Sequence, residues 1–179
     1  RPSFSVRFYA VPTDEYPMAL DDIAYTRDWL ADMLVRRVGL PIAATYTQTE
    51  SPWFDIIPGA GNTRYTTANL GKTRVVCAAD VGQHIRVVEG SPYGDSGDPL
   101  RMLAWVLPSL AEERGLQVGE RYALQVDTAE GTFSVPVVIA GLWEAVDPEE
   151  RYWYQSPYGL MGRQLLITPE QYETFIAPL

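Results

Sequence analysis

The sequence predicts an α+β fold from three observations. Residues 19–38 carry apolar side chains at the spacing of an amphipathic helix. Residues 41–98 contain short β-rich pieces between glycine, proline and asparagine turn signals. Residues 99–179 combine strand-like segments with two short helical ones. A chain of 179 residues is long enough for one ordinary domain or for two small subdomains.

The first predicted elements are a strand and the long helix. Residues 3–11 alternate in "SFSVRFYAV", the period-2 pattern of a half-buried strand. The helix of residues 19–38 ends where Gly39 and Pro41 supply a stop signal. Residues 41–98 then predict a mostly-β subdomain inserted after the helix, with strand-like pieces at residues 42–49, 53–59, 64–70, 73–81 and 84–90.

The later elements begin after a turn-rich stretch, "EGSPYGDSGDP". A short helix is predicted to end at Gly115, and a last helix to begin with Thr168 as N-cap and Pro169 at its first position. Strands are predicted at residues 104–107, 121–126, 132–145 and 163–168.

Composition and charge limit the function classes. The formal net charge is −9, with no basic cluster beyond Arg36 and Arg37, so nucleic acid and anionic lipid head groups are disfavoured as partners. The single cysteine, Cys77, excludes an intrachain disulfide and is predicted to be a buried, inert thiol. The sequence contains no run of about 18 consecutive apolar residues, the length that a membrane-spanning helix needs. The ends of the sequence, "RPSFSV" and "TFIAPL", suggest a piece of a longer protein.

One motif suggests nucleophilic catalysis. "GDSGDP" at residues 94–99 is similar to the segment around the nucleophile of chymotrypsin-like proteases, which would make Ser96 the nucleophile. A triad needs an imidazole base next to the serine, and the only histidine is His84, in an apparent strand. The histidine signature and disulfides of those proteases are missing, so a surface loop is favoured for residues 94–99 and a structural or surface position for His84.

Other candidate motifs also lack residues that their chemistry requires. "GAGNTR" at residues 59–64 lacks the third glycine of a dinucleotide-binding pattern. The adjacent carboxylates of residues 21–22 and 112–113 do not face one another on a helix, so neither pair resembles an acid/base couple. The sequence therefore predicts no enzyme, no metal site and no cofactor, and directs the search to binding or mechanical coupling.

An aromatic cluster is the remaining feature. Four large aromatic side chains lie within twelve residues, around an acidic proline turn in "GLWEAVDPEERYWYQSP". Structural packing, a ligand-stacking platform and a contact patch for a partner domain or cargo are all open interpretations. The residues of this cluster are Trp143, Tyr152, Trp153 and Tyr154.

Two motifs resemble a known family. "AEERGLQVGE" fits a helix of the kind A-x-x-x-G-L-x-V-G-[DE] before a strand, and a later strand with valines, a glycine and an aromatic residue runs into a "DP" turn. "IRVVEGSPY", residues 85–93, precedes them, with Ser91 where the family often has a basic residue. The residues that carry the two patterns are Ala111, Gly115, Leu116, Val118, Gly119 and Glu120, and Val135, Val137, Gly141, Trp143, Asp147 and Pro148.

This order of motifs resembles the extracytoplasmic domain of bacterial ABC-transporter permeases of the MacB/FtsX-like group, called the periplasmic core domain. The resemblance covers residues 80–179, and residues 1–79 only through their order of elements. It implies two lobes: an α+β lobe formed by residues 1–40 and 99–179, and an inserted mostly-β lobe of residues 41–98.

The resemblance also implies a function and partners. The domain would be non-catalytic and would couple ATP-driven transmembrane movements to an extracytoplasmic cargo or partner that the sequence does not identify. Its expected partners are transmembrane helices of the same full-length chain, an ABC ATPase subunit or domain, and a second permease copy or homologue. It would lie on the extracytoplasmic side of the bacterial cell membrane, tethered by those helices. The alternative is a ligand-binding or sensory extracytoplasmic domain of another membrane protein.

Overall fold

A computed structural model describes residues 6–11, 20–39, 41–60, 62, 64–95, 100–128 and 131–179. The chain forms two compact units, Arg1–Thr45 and Tyr46–Leu179. Predictions that fall on residues between the described ranges, including Ser96 of the "GDSGDP" motif, lie outside the described residues.

The first unit contains helix α1, Leu20–Val38, which confirms the predicted long helix. Aspartates occupy its first turn and arginines its last, the arrangement that the helix dipole favours. Gly39 follows with φ +73° and donates its N–H to the Val35 carbonyl at 2.9 Å. The strand predicted over residues 3–11 is not found in residues 6–11, since alternation alone provides no hydrogen-bonded neighbour.

The second unit contains eight strands, three short α-helices and one turn of 3-10 helix, Val81–Gln83, in its described residues. Helices α2, α3 and α4 span Pro108–Arg114, Pro157–Leu160 and Pro169–Phe175. The strands are β1 Gln48–Glu50, β2 Phe54–Pro58, β3 Lys72–Ala78, β4 Ile85–Gly90, β5 Met102–Val106, β6 Arg121–Thr128, β7 Gly131–Ala145 and β8 Gln164–Leu166.

Six of these strands form a closed ring of hydrogen-bonded neighbours. The order is β2, β6, β7, β5, β8 and β3, and β3 pairs back with β2. The β5–β7 and β3–β8 pairs are parallel, and the other pairs are antiparallel. Strand β1 extends β3, and β4 pairs with the end of β7. Closure leaves few free strand edges and favours a rigid unit.

The α+β class is therefore confirmed, but the two-lobe description is not. Strands from residues 46–98 and strands from residues 100–179 belong to the same sheet, because β2 pairs with β6, β4 with β7 and β3 with β8. Local composition marked residues 41–98 as β-rich without indicating which strands they would pair with. The lobe boundaries stay a prediction.

Buried side chains occupy both faces of the ring. Because side chains alternate along a strand, Val75 and Leu165 share one face, and both are fully buried. On the outer face, Val76 and Leu166 belong to a second apolar cluster, which the segments around β4 and after β7 cover. Trp105, Trp143, Trp153 and Met161 are among the large side chains of this outer cluster.

Several local predictions are confirmed and others are corrected. Gly115 ends α2 in the left-handed conformation, and Thr168 caps α4 by accepting a hydrogen bond from the Gln171 N–H. The strand predicted at residues 64–70 is wrong, because that segment is a loop in which Arg64 and Tyr65 bind Glu120. Helix α3 was not predicted, since a single turn leaves no periodicity to detect.

Candidate functional site: an open cleft of aromatic and arginine side chains

The aromatic cluster singled out in the sequence lies mainly in the outer core. Trp143 is fully buried and Trp153 is 6% exposed. Their rings stack with centroids 6.3 Å apart and planes 17° apart. Both indole N–H groups are buried without a hydrogen-bond partner among the described residues, so these side chains contribute apolar packing. Packing is therefore the role that the structure gives to these two tryptophans.

The two tyrosines of the cluster differ from each other. Tyr152 is half-buried, meets Trp153 edge-on with centroids 4.7 Å apart, and donates its hydroxyl to the Ala79 carbonyl at 2.6 Å. Tyr154 is 44% exposed. The four aromatic residues therefore do not share one surface, and Tyr154 is the most exposed of them.

His84 supports the same region. Its ring stacks on Tyr152 with centroids 3.6 Å apart, and its Nδ1 lies 2.9 Å from Oε1 of Glu150. The turn that precedes Tyr152 is held by Asp147, whose carboxylate accepts the Glu149 N–H at 2.9 Å. The histidine thus joins β4 to the segment after β7, which is the structural role expected from the sequence.

Cys77 is buried, as predicted. Burial raises the pKa of its thiol to about 11. The thiolate is the reactive form of cysteine, so this side chain stays protonated and inert at neutral pH.

A polar cluster fixes the turn between α2 and β6. The Glu120 carboxylate accepts hydrogen bonds from Tyr122 at 2.6 Å, Tyr65 at 2.9 Å and Arg64 at 2.7 Å. Burial by itself raises the pKa of Glu120, but the Tyr122 and Tyr65 hydroxyls and the Arg64 charge outweigh it. The pKa therefore lies below its ordinary value of 4.5.

We expect Glu120→Gln to destabilise the protein by about 1–2 kcal/mol at pH 7, because charged hydrogen bonds are lost at a site open to screening. Because the pKa of Glu120 is lower in the folded protein than in the unfolded chain, the ionised carboxylate stabilises the fold above pH 4.5. This stabilisation is lost as the pH falls through the folded-state pKa. The difference from wild type should therefore shrink below pH 4.5 in urea-unfolding experiments at a series of pH values. Exposed Glu112→Gln is the control, and a constant difference across this pH range would contradict the assignment.

A candidate for binding is a cleft where β2, β3, α2, α3 and β8 approach one another. Its volume is about 340 Å³. We call it the Trp53 cleft. It is lined by Trp53, Arg74, Glu113, Tyr158, Gly159, Leu160, Gly162, Arg163 and Gln164.

The aromatic walls of the Trp53 cleft are accessible to solvent. Trp53 and Tyr158 are each 45% exposed. The Arg74 guanidinium lies 4.7 Å from the centre of the Trp53 ring, a cation–π distance, and pairs with Glu50. Glu50 also accepts a hydrogen bond from the Gln164 amide at 3.0 Å. This chain of contacts fixes Trp53 and Arg74 in place.

A second depression of about 350 Å³ lies beside β2, lined by Ile57, Pro58, Gly59, Asn62, Tyr65, Thr66, Thr67 and Ala68. None of these side chains is charged, and residues 61 and 63 beside it lie outside the described ranges. It therefore gives no basis for choosing a ligand.

Sequence reasoning missed the Trp53 cleft because its lining comes from five separate elements. Trp53 precedes a strand, Tyr158 lies in a four-residue helix and Arg163 precedes a short strand. The only local signal is an exposed tryptophan beside "SPWFD", and a tryptophan next to a strand usually packs in the core.

Comparisons with known proteins found no match: no protein-family model fits the chain, and no curated protein resembles it significantly. None of the helices that the structure describes is long and apolar enough to cross a membrane. Within the described ranges, no group of three or more histidine, cysteine, aspartate or glutamate side chains is placed to hold a metal ion. The predictions on catalysis and cofactors stay predictions.

Proposed function

We propose that this chain is a non-catalytic extracytoplasmic domain of an ABC-transporter permease of the MacB/FtsX-like group. In this role it couples ATP-driven transmembrane movements to an extracytoplasmic cargo or partner. The observation that carries the proposal is that the residues of the two resembling motifs occupy positions where the fold needs them.

The first motif shapes the connection from α2 to β6. Gly115 has φ +71°, and its N–H reaches the Ala111 and Glu112 carbonyls. Leu116 is buried directly after it. Gly119 has φ +81° and donates its N–H to the Ile139 carbonyl at 2.8 Å, which ties the turn to β7. Glycine adopts a left-handed backbone at the lowest cost, so both glycines of the motif have a physical reason.

The second motif shapes β7 and the turn after it. Val137 is buried. At Gly141 an added Cβ would lie 2.6 Å from the Glu89 carbonyl oxygen, so only glycine lets β4 approach β7. Trp143 then fills the outer core, and Asp147 forms the turn. The two motifs together describe one continuous unit from α2 to the turn after β7.

Ser91 stands where the resembling family often has a basic residue, and the structure shows why serine can replace it. Ser91 accepts the Trp105 indole N–H at 2.9 Å through its backbone carbonyl, and its own N–H reaches the Ala140 carbonyl at 2.9 Å. Any non-proline residue supplies these backbone groups. The absence of a basic side chain there leaves these contacts intact.

The closed ring of strands supports a coupling role. A unit whose strands are hydrogen-bonded to neighbours all around can move as one rigid body and transmit displacement without unfolding locally. We therefore expect force to pass through the ring rather than to be absorbed by it.

The side of the membrane can be tested with a cysteine label. Cys77 is buried, so the wild-type chain should not react with a membrane-impermeant maleimide. Tyr154→Cys places a thiol at an exposed position. In the full-length protein expressed in intact bacterial cells, with any cysteine outside these 179 residues replaced by serine, we expect labelling of the variant and no labelling of the parent protein. We also expect an ABC ATPase to co-purify with the tagged full-length protein.

Two outcomes contradict the proposal. Labelling of the variant only after cell lysis would place the domain on the cytoplasmic side. Labelling in intact cells without an ABC ATPase would favour the second candidate, a ligand-binding or sensory domain of another membrane protein. The Trp53 cleft is the observation that favours this second function.

A further inference from the structure

We propose that the Trp53 cleft binds an acidic peptide segment in which an apolar side chain lies next to a carboxylate. The inference goes beyond the proposed function, because it concerns a ligand and holds whether or not the chain belongs to a permease. The aromatic walls, the fixed geometry and the unpaired charge of the cleft support it in turn.

The walls of the cleft are suited to an apolar side chain. Trp105, Trp143 and Trp153 are buried, whereas Trp53 lies at the surface in the same unit and faces the cleft together with Tyr158. Tryptophan, tyrosine and arginine are the residues enriched where partners bind tightly. An apolar side chain that enters the cleft would remove part of both rings from water.

The geometry is held in place before a ligand arrives. Arg74 lies over Trp53 and pairs with Glu50, which also binds the Gln164 amide. The Gln164 side chain is buried, so this support rests on the sheet itself. Side chains that are already ordered lose little entropy on binding, which favours affinity.

The charge of the cleft selects an anion. Arg74 is neutralised by Glu50, and Glu113 lies 3.3 Å from Arg114. Arg163 is exposed and pairs with no acidic side chain in the part of the chain that the structure describes. One open guanidinium matches one carboxylate, which it can bind through two parallel hydrogen bonds. The net charge of −9 acts less at this site than the nearby cation, because salt screens charges beyond about 8 Å.

The shape of the cleft favours a segment of a longer chain over an enclosed small molecule. A volume of about 340 Å³ is at the small end for ligand sites and accommodates one or two side chains. The cleft is also open to solvent, so a peptide can continue past it on either side. This points to a partner protein that presents an apolar residue beside an aspartate, a glutamate or its own C-terminus.

The test uses two small probes that differ in one group. N-acetyl-L-phenylalanine has an apolar ring, a peptide bond and a carboxylate, and N-acetyl-L-phenylalaninamide has the same groups with the charge removed. Each is titrated into the 179-residue chain at millimolar concentration, and the NMR signals of the Trp53 indole and of Gly159 and Gly162 are followed. We expect both to shift these signals, with the acid bound about 3–10-fold more tightly, as expected for one charge-assisted contact near the surface.

Variants assign the preference to single residues. Arg163→Gln should remove the preference for the acid and leave binding of the amide unchanged. Arg151→Gln, which removes an exposed arginine elsewhere, should leave both affinities unchanged. Trp53→Ala should weaken both probes. Because the Arg163 side chain is exposed and unpaired in the described structure, its variant should fold, so the test does not depend on the tryptophan variant.

Three results would overturn the inference. Equal affinity for acid and amide would exclude charge selection, and a preference that persists in Arg163→Gln would place the anion elsewhere. The absence of any shift in the cleft signals would exclude binding of this chemistry. None of these results bears on the maleimide experiment, so the two proposals fail independently.

Discussion

Replacing Trp143 by alanine is expected to lower the free energy of unfolding by about 3–5 kcal/mol, the usual cost of removing a large aromatic side chain from a core. Trp143 is fully buried on β7 and stacks on Trp153 across the outer cluster. Its removal leaves a cavity between β7 and the segment that returns to β8. Urea unfolding followed by circular dichroism measures the loss.

Two variants separate core packing from other roles. Tyr154→Ala removes the exposed aromatic side chain of the same segment and should change stability by less than about 0.5 kcal/mol. Trp143→Phe keeps most of the ring and removes an indole N–H that has no partner among the described residues, so it should cost much less than alanine. If Trp143→Ala were as mild as Tyr154→Ala, the residue would not be part of the core.

Replacing Gly90 by alanine is expected to destabilise the protein by about 2–5 kcal/mol, the sum of a backbone cost of about 1–2 kcal/mol and an overpacking cost of about 1–3 kcal/mol. Gly90 has φ +94° at the end of β4. A Cβ there would lie 2.2 Å from the Ala140 carbonyl oxygen and 2.7 Å from the Gly141 Cα. These are backbone atoms of β7, so they can move only if the β4–β7 pairing shifts.

Gly119→Ala is the matched control for this prediction. Gly119 has φ +81°, but an added Cβ would meet nothing within 4 Å. Its replacement should therefore cost only the backbone part, about 1–2 kcal/mol. Urea unfolding of both variants gives the comparison, and equal losses would show that β7 does not crowd Gly90. Hydrogen exchange at β4 should rise in the Gly90 variant alone, since only there is the strand pair disturbed.

The motif glycines show how much local sequence predicts. Gly115 was expected to end α2 and does so with a left-handed backbone, because glycine adopts that conformation with the least strain. The Thr168 cap and the long helix α1 were predicted for the same kind of reason. Each depends on contacts within a few residues, which the order of amino acids determines directly.

Strand pairing depends on contacts far apart in the chain. The ring closes because β3 pairs with β8, which joins Arg74 to Gln164 across 90 positions. Periodicity shows that a segment is a strand but not which partner it takes. The β-rich character of residues 41–98 was predicted from local composition and the division into two lobes from the family resemblance, and neither records such pairings.

The sequence by itself therefore determined the α+β class, the long helix, the glycine and threonine caps and the inert character of Cys77. Only the tertiary structure decided where the aromatic side chains lie. It placed Trp143 and Trp153 in the core, although they had been candidates for a contact surface, and brought Trp53 to the surface beside Tyr158 and Arg163. The physical reason is that burial and a shared cleft are properties of side chains from different elements, which meet only after the ring has closed.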